Sequence, residues 1–195
     1  MPMRPARGIS LLELLISMTI GLLLLLIVSG LLVSLLGEQS RERRQAQLGA
    51  MMDASLSLMA MELRRAGFWN GGGAPADNPY RELHIQPDGR CLRYGYDDPA
   101  GSASPLRYFA FRLEGQRIQR RSSGKADWNC DAPSGWDDLS KPDIGVVDML
   151  SFRSEAGGSA IGIAVSARAA KGSGEERLDI RTSVTLRNQP EVKGP

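Results

Sequence analysis

The distribution of hydrophobic and charged residues divides this chain of 195 residues into two unequal parts. No charged side chain lies between Leu14 and Leu36, whereas almost every charge lies beyond Gly37. As a helix, the uncharged stretch would rise about 35 Å, which is enough to cross the hydrocarbon core of a bilayer. The pattern therefore predicts a membrane-spanning helical segment over 9–36, followed by a part that is exposed to water.

A second helical pattern continues over 37–66. Its apolar residues recur at intervals of three or four and form one stripe, which comprises Leu48, Met52, Leu56, Met59 and Leu63. We expect this amphipathic half of the helix to pack on the soluble domain, the alternative being a methionine-rich surface for a partner. Gly67 and the run from Gly71 to Pro75 should end the helix, because glycine adopts the left-handed cap and proline cannot continue the helix.

Beyond this loop the hydrophobic period changes to two, which is typical of strands. Leu178, Ile180 and Val184 alternate with polar residues, so a half-buried strand is expected there. Shorter strands are predicted at 82–86, 91–96, 106–113, 116–121, 146–153 and 161–167, with Glu114 and Gly115 as the turn of a hairpin. The predicted fold is α+β, in which a long N-terminal helix packs on one antiparallel β-sheet domain at 67–195.

The N-terminus combines a basic leader, a glycine and one carboxylate. Arg4 and Arg7 precede Gly8, and Glu13 is the fifth residue after that glycine. This arrangement resembles the type III signal of type IV prepilins. The resemblance implies that a membrane aspartyl peptidase, the prepilin peptidase, removes the leader 1–8 by cutting between Gly8 and Ile9. The same enzyme would methylate the new amine of Ile9.

Glu13 also needs a physical explanation, because a carboxylate among leucines costs a few kcal/mol in hydrocarbon. Cleavage after Gly8 would supply a partner, an α-amine with a pKa near 8 that lies about 6 Å upstream along the helix axis. In the prepilin family this glutamate is thought to recruit the amine of a neighbouring subunit, so Glu13 is the expected assembly charge. The alternative is that Glu13 only sits at the level of the lipid headgroups.

Four short segments, at 62–69, 91–97, 136–139 and 185–188, look like those of the PilW minor pilins. The J-type pseudopilins of type II secretion are similar and are the close alternative. The resemblance implies a subunit that initiates or caps a type IV pilus and supports surface motility or adhesion. Its partners would be other minor pilins and the major pilin, through the N-terminal helix. It would be anchored in the bacterial inner membrane with a periplasmic C-terminal domain, and would enter a pilus or pseudopilus on assembly.

The chain has two cysteines, Cys91 and Cys130. They lack the CxxC spacing and the nearby histidines of a metal or redox site, so a single disulfide is the simpler interpretation and two free thiols are the alternative. A disulfide closing a loop of this size would stabilise the fold by about 4 kcal/mol in the chain-entropy model. It would also imply an oxidising compartment such as the periplasm.

Catalytic and metal-binding patterns are not found. The one histidine, His84, has no HExxH, GxSxG or phosphate-loop context, so neither an enzyme nor a cofactor is expected and His84 is predicted to be a strand residue. Several acids lack the spacing of a calcium loop and are predicted to lie in turns without a metal. They are Asp97, Asp98, Asp137, Asp138 and Asp143.

The formal net charge is +2, from 24 basic and 22 acidic residues. Loss of the leader removes Arg4 and Arg7, so that 22 of each sign remain and no nucleic-acid partner is expected. A DNA-binding or adhesive pilin is the alternative of another class, with Arg117, Arg120 and Arg121 as a phosphate-binding stripe. An anchored periplasmic enzyme is the third possibility.

Overall fold

The structure is a computed structural model, which describes residues 10–97, 107–126, 129–170 and 177–195. The chain divides into two compact units, Met1–Arg43 and Arg44–Pro195. Within the described residues, a single long α-helix, α1, runs from Leu11 to Leu63. Short 3₁₀ helices lie at Pro75–Asp77 and Ala156–Gly158.

The first unit contains the apolar part of α1. The hydroxyl groups of Ser17 and Thr19 donate hydrogen bonds to the carbonyls of Glu13 and Ile16, so these polar side chains are satisfied within the helix itself. The most apolar window of α1 has a mean hydropathy of 2.7, and none of that window is buried within the protein. By length and composition, α1 is the one helix of the described part that is able to cross a membrane.

The second unit begins with the remaining part of α1, in which the predicted apolar stripe is confirmed. Its members Leu48, Met52, Leu56, Met59 and Leu63 are all buried, and they share a core with residues from the strands. The helix ends at Leu63, three residues before the predicted end at 66. Residues 64–67 form a turn instead, in which Gly67 takes the left-handed conformation with φ at 79°.

Nine strands lie in the described part of the chain. In chain order they are β1 (Glu82–Ile85), β2 (Cys91–Gly95), β3 (Tyr108–Glu114), β4 (Arg117–Ser123), β5 (Trp136–Asp138), β6 (Gly145–Glu155), β7 (Ala160–Ala169), β8 (Arg177–Thr185) and β9 (Glu191–Lys193). They form a six-stranded sheet of order β5-β4-β3-β2-β1-β9 and a three-stranded sheet of order β6-β7-β8. Neighbouring strands are antiparallel except β1 and β9, which are parallel.

The α+β class, with a long helix packed on a mostly antiparallel sheet domain, is confirmed. Two details differ from a purely antiparallel sheet: the described strands form two sheets, and β1 and β9 are parallel. The predicted turn of the β3–β4 hairpin was also one residue early. Gly115 and Gln116 form it with φ of 54° and 61°, because both must adopt the left-handed backbone that this tight connection requires.

The core of the second unit joins α1 to both sheets. Its largest fully buried side chains include Met59 from the helix, Phe111 from the six-stranded sheet and Phe152 from the three-stranded sheet. All three belong to one hydrophobic cluster. The apolar faces of both sheets are therefore covered by the same stripe of α1.

Two methionines of α1 test the contribution of this stripe. Met59→Ala should lower the free energy of unfolding by about 2–5 kcal/mol, because it opens a cavity at a site with no solvent exposure. Met61→Ala is the matched control, since Met61 is 55% exposed and its truncation should change stability by no more than about 0.5 kcal/mol. Thermal unfolding of the full chain in detergent, followed by near-ultraviolet circular dichroism, measures both. Equal losses of stability would contradict the packing described.

Candidate functional site

Glu13 lies in the first turn of α1. Its helical neighbours at three and four residues are Ser10, Ile16 and Ser17, none of which is basic. Gly8 and Ile9, the predicted cleavage and methylation residues, lie outside the described residues. Glu13 is therefore an exposed carboxylate that has no basic residue at helical spacing among the described residues, at the start of an apolar helix.

The surface around Glu13 is continuously apolar. From Leu11 to Leu36, every large hydrophobic side chain of α1 exposes at least 50% of its area. An apolar surface of this size does not persist in water and has to be covered by lipid or by other apolar helices. This part of α1 is the membrane anchor of the chain and its candidate assembly surface.

The C-terminal end of α1 carries a second polar site, which sequence reasoning missed. Glu62 is only 5% exposed, and its Oε2 accepts a hydrogen bond of 2.7 Å from the hydroxyl of Tyr96. The hydroxyl of Tyr94 lies 3.4 Å from the same oxygen, and Arg65 Nη1 lies 3.8 Å from Oε1. A carboxylate is tolerated at this depth because donors and a cation surround it. One signal was present in the sequence, since Glu62 falls on the apolar face between Met59 and Leu63.

The two tyrosines of this site are held by stacking and by burial. The ring of Tyr96 stacks on Phe109 with centroids 4.4 Å apart, and the Arg65 guanidinium lies 4.3 Å from the Tyr96 ring centroid. Burial, together with the nearby carboxylate of Glu62, raises the pKa of Tyr94 and of Tyr96 well above the ordinary value. Both hydroxyls therefore remain protonated and able to donate to Glu62.

Residues distant in sequence satisfy the carbonyls that the end of α1 leaves unpaired. The side-chain amide of Asn188 donates to the carbonyls of Arg65 and Ala66 at 3.2 and 3.0 Å. The amide of Asn78 donates to the carbonyl of Gly67 at 2.9 Å. The helix end therefore has fixed partners within the domain. Three of the four segments that suggested a pilin from the sequence, at 62–69, 91–97 and 185–188, meet at this junction.

The fourth segment, 136–139, lies beside the disulfide. Cys91 and Cys130 are joined, as the sequence favoured, with their Cα atoms 6.2 Å apart. Trp136 packs against this buried pair, and the Arg112 guanidinium lies 4.0 Å from the Trp136 ring centroid. Arg112 also donates a 2.7 Å hydrogen bond to the carbonyl of Cys130. This segment therefore fixes the bridged turn to the outer face of β2 and β3.

His84 and two of the predicted turn acids, Asp97 and Asp138, have local structural partners, whereas Asp98 lies outside the described residues. His84 is a strand residue, as predicted, with Nε2 at 3.3 Å from a carboxylate oxygen of Glu82. Asp137 and Asp138 lie in β5 and not in a turn, which corrects the prediction. Asp138 accepts hydrogen bonds from Arg117 and Gln119 at 2.7 and 2.8 Å. Within the described ranges, no three His, Cys, Asp or Glu side chains are grouped so that they could hold a metal ion.

The three arginines of the DNA-binding alternative do not form one stripe. They all lie on β4, but Arg120 alternates with Arg117 and Arg121, so its side chain points to the opposite face of the sheet. Arg117 pairs with Asp138, and Arg121 donates a 2.6 Å hydrogen bond to the carbonyl of Ser134. Arg120 lies opposite Phe111, on the face of the sheet that also carries Tyr94. Burial is the main cause of the raised pKa of Tyr94, and the charge of Arg120 acts against it.

Comparison with known proteins adds to these observations. Residues 41–194 match the family model described as prepilin peptidase-dependent protein B, and residues 3–29 match the prokaryotic N-terminal methylation motif. A solved structure, a type IV-like pilin from Thermus thermophilus, is 12% identical with a TM-score of 0.48, and the alignment covers 73% of this chain and 96% of that one. No curated protein matches the sequence.

A methylation motif, an exposed apolar helix and an α+β domain packed on the second half of that helix define a type IV pilin-like protein of the minor pilin class. The match to residues 41–194 covers most of the chain. The chain therefore belongs to the prepilin peptidase-dependent protein B family. The finer assignments, to PilW minor pilins or to J-type pseudopilins, stay predictions.

The hydroxyl of Tyr96 offers a test of the buried carboxylate. Tyr96→Phe should lower the free energy of unfolding by about 1–3 kcal/mol, because it removes the 2.7 Å donor of Glu62. Tyr94→Phe is the control with the same chemistry, and its effect should be smaller because its hydroxyl is 3.4 Å from the carboxylate. Chemical denaturation of the full chain in detergent compares the two variants. A larger loss for Tyr94→Phe would contradict the hydrogen bonding described.

Proposed function

We propose that this protein is a minor pilin that helps to initiate or cap the assembly of a type IV pilus, and so supports surface motility or adhesion. The observation that carries the proposal is the position of Glu13, a carboxylate on an exposed apolar helix directly behind a leader that matches the N-terminal methylation motif. A helix that only anchors a protein in the membrane gains nothing from a charge among apolar residues. A helix that joins other helices by pairing with a counter-charge needs such a charge.

In the proposed mechanism, the prepilin peptidase cuts between Gly8 and Ile9 and methylates Ile9. The new amine is a cation at the start of a helix that otherwise carries one charge, Glu13, before Glu38. When two subunits meet in the membrane, Glu13 of one pairs with the Ile9 amine of the other. The attraction is strong because the surroundings have a low dielectric constant and exclude water. The remaining apolar surface of α1 then packs against neighbouring helices.

The second unit supplies the part that stays outside the membrane. We propose that it lies in the periplasm, tethered to the inner membrane, and that the Cys91–Cys130 disulfide forms there. Its role is assembly and not catalysis. A minor pseudopilin of type II secretion would use the same helix chemistry, so the identity of the pilins that co-purify with the chain distinguishes the two systems.

Processing is tested at the glycine of the leader. Gly8→Phe should leave residues 1–8 attached, because the peptidase site next to the membrane has to admit an extended backbone with a small residue. Gly30→Ala is the matched control and should be processed normally, since an added methyl group at Gly30 meets no atom within 4 Å. Intact-mass measurement of both proteins shows whether residues 1–8 are still attached. A mature protein that begins near Gly30 would refute the prepilin assignment.

Assembly is tested at the carboxylate. Glu13→Ala should leave cleavage, membrane retention and the unfolding of the second unit unchanged, because the helix loses only a charge that is unfavourable in lipid. Recovery of partner pilins with the tagged chain should fall about tenfold or more, because the neighbouring amine loses its counter-charge in a low-dielectric bundle. Glu42→Ala removes a carboxylate from the polar part of the same helix and should retain the partners. Undiminished recovery with Glu13→Ala would exclude the charge-pairing mechanism for this subunit.

A further inference from the structure

The loop that follows α1 contains an asparagine directly before a glycine. Asn70 and Gly71 are both exposed and belong to neither a helix nor a strand. Asparagine is among the chemically labile residues of proteins, because its side-chain amide can react with the backbone nitrogen of the next residue. Glycine in that next position hinders the reaction least, since it has no side chain and the widest backbone freedom. The surroundings of the pair decide whether the reaction is open in the folded protein.

The side chain of Asn70 differs from those of the other three asparagines of the chain. Asn78, Asn129 and Asn188 all make side-chain hydrogen bonds of 2.8–3.2 Å with backbone groups. Asn78 is also followed by proline, whose nitrogen carries no proton. Within the described part of the chain, the Asn70 side chain has no hydrogen-bond partner. Among the four asparagines, Asn70 is therefore the one whose amide is free to turn towards the backbone.

The backbone at Asn70 is held on one side and open on the other. The Asn70 amide donates to Asp97 Oδ2 at 3.0 Å, and the Asp97 amide donates to the carbonyl of Phe68 at 2.8 Å. The amide of Gly71, in contrast, has no partner among the described residues. A hydrogen bond would tie down the nitrogen that has to attack, so the Gly71 nitrogen is available for reaction.

Packing requires glycine at this position. A Cβ atom added to Gly71 would lie 2.0 Å from two ring carbons of Trp69, far inside van der Waals contact. The residue after Asn70 is therefore fixed as glycine by its contact with the Trp69 ring. The reactive pair follows from the way in which this loop folds.

A second acid or amide before a glycine shows the opposite arrangement. Asp88 and Gly89 lie between β1 and β2, where Asp88 Oδ1 accepts a hydrogen bond of 3.0 Å from the amide of Arg90. The amide of Gly89 donates to the carbonyl of Gln86 at 2.8 Å. Both groups that would have to react are thus engaged in the turn. The folded structure therefore distinguishes two pairs that the sequence alone would treat alike.

We propose that Asn70 is a site of spontaneous deamidation in the folded protein. The Gly71 nitrogen attacks the side-chain carbonyl carbon of Asn70 and closes a five-membered succinimide ring. The side-chain nitrogen leaves as ammonia and takes up the proton that the Gly71 nitrogen loses. Water then opens the ring at either of its two carbonyl carbons. The products are an aspartate, or an isoaspartate in which the main chain continues through the side-chain carbon.

The products alter the contact that holds this loop. They add a carboxylate at the residue whose amide Asp97 binds, and like charges that are close together repel each other. The isoaspartate also lengthens the main chain by one atom. An older chain therefore differs from a new one at the C-terminal end of α1. The reaction needs only water, and it depends neither on cleavage at Gly8 nor on Glu13.

Incubation of the full chain in detergent, in buffer made with heavy-oxygen water, tests the proposal. Ring opening by water incorporates heavy oxygen at position 70, and fragment-ion mass spectrometry after digestion in ordinary water locates the label. Label should accumulate at Asn70, faster at higher pH because the attacking nitrogen has to lose its proton. Asn129 and Asn188 should stay unmodified, since their side chains are held by hydrogen bonds.

Asn70→Gln is the matched control, since it keeps an amide at the same exposed position. It should take up no label there in the same time, because its longer side chain has to close a less favourable six-membered ring. A synthetic peptide of residues 66–81 in the same buffer shows how fast the pair reacts without the fold. A folded chain that stays unlabelled at position 70 while this peptide reacts to completion would overturn the proposal. Equal labelling of Asn129 or Asn188 in the folded chain would overturn it as well.

Discussion

The second unit depends on one packing constraint, the burial of the apolar stripe of α1 against both sheets. Leu48, Met52 and Met59 share a single cluster with Phe111 of the six-stranded sheet and Phe152 of the three-stranded sheet. Neither sheet can bury its apolar face without a partner. The helix therefore has two roles along its length, as an uncovered apolar surface up to Leu36 and as a core element from Leu48 onwards.

The junction at Glu62 shows how this packing is given a fixed register. An apolar stripe alone tolerates sliding by a helical turn, because similar side chains recur along it. A buried carboxylate does not tolerate it, because displacement from the hydroxyl of Tyr96 would leave a charge in the interior without its donor. The Asn188 cap adds a second polar restraint at the same helix end. Polar groups in this core therefore specify position more than they add stability.

The sequence predicted the helices and strands in which hydrophobic residues recur at a regular spacing. The stripe of α1 and the seven strands β1, β2, β3, β4, β6, β7 and β8 were all expected near their observed positions, because apolar residues recur there with a short period. β5 and β9 have three residues each, too few for a period to be read, and the division into two sheets depends on contacts between distant strands. At the candidate site, Glu13 and the cysteine pair were expected. Glu62 was overlooked because its donors, Tyr94 on β2 and Tyr96 directly after it, lie more than 30 residues further along the chain.

The cap on α1 also has a consequence for how fast the domain folds. Asn188 bonds to the carbonyl of Ala66 across a separation of 122 residues, whereas the disulfide closes a separation of 39. Contacts between residues so far apart form late, because the intervening chain must first lose its freedom. The end of the helix is therefore locked only when nearly the whole domain is in place. A newly made chain spends the preceding interval with its strand edges uncovered, and its membrane anchor limits the encounters that would lead such chains to aggregate.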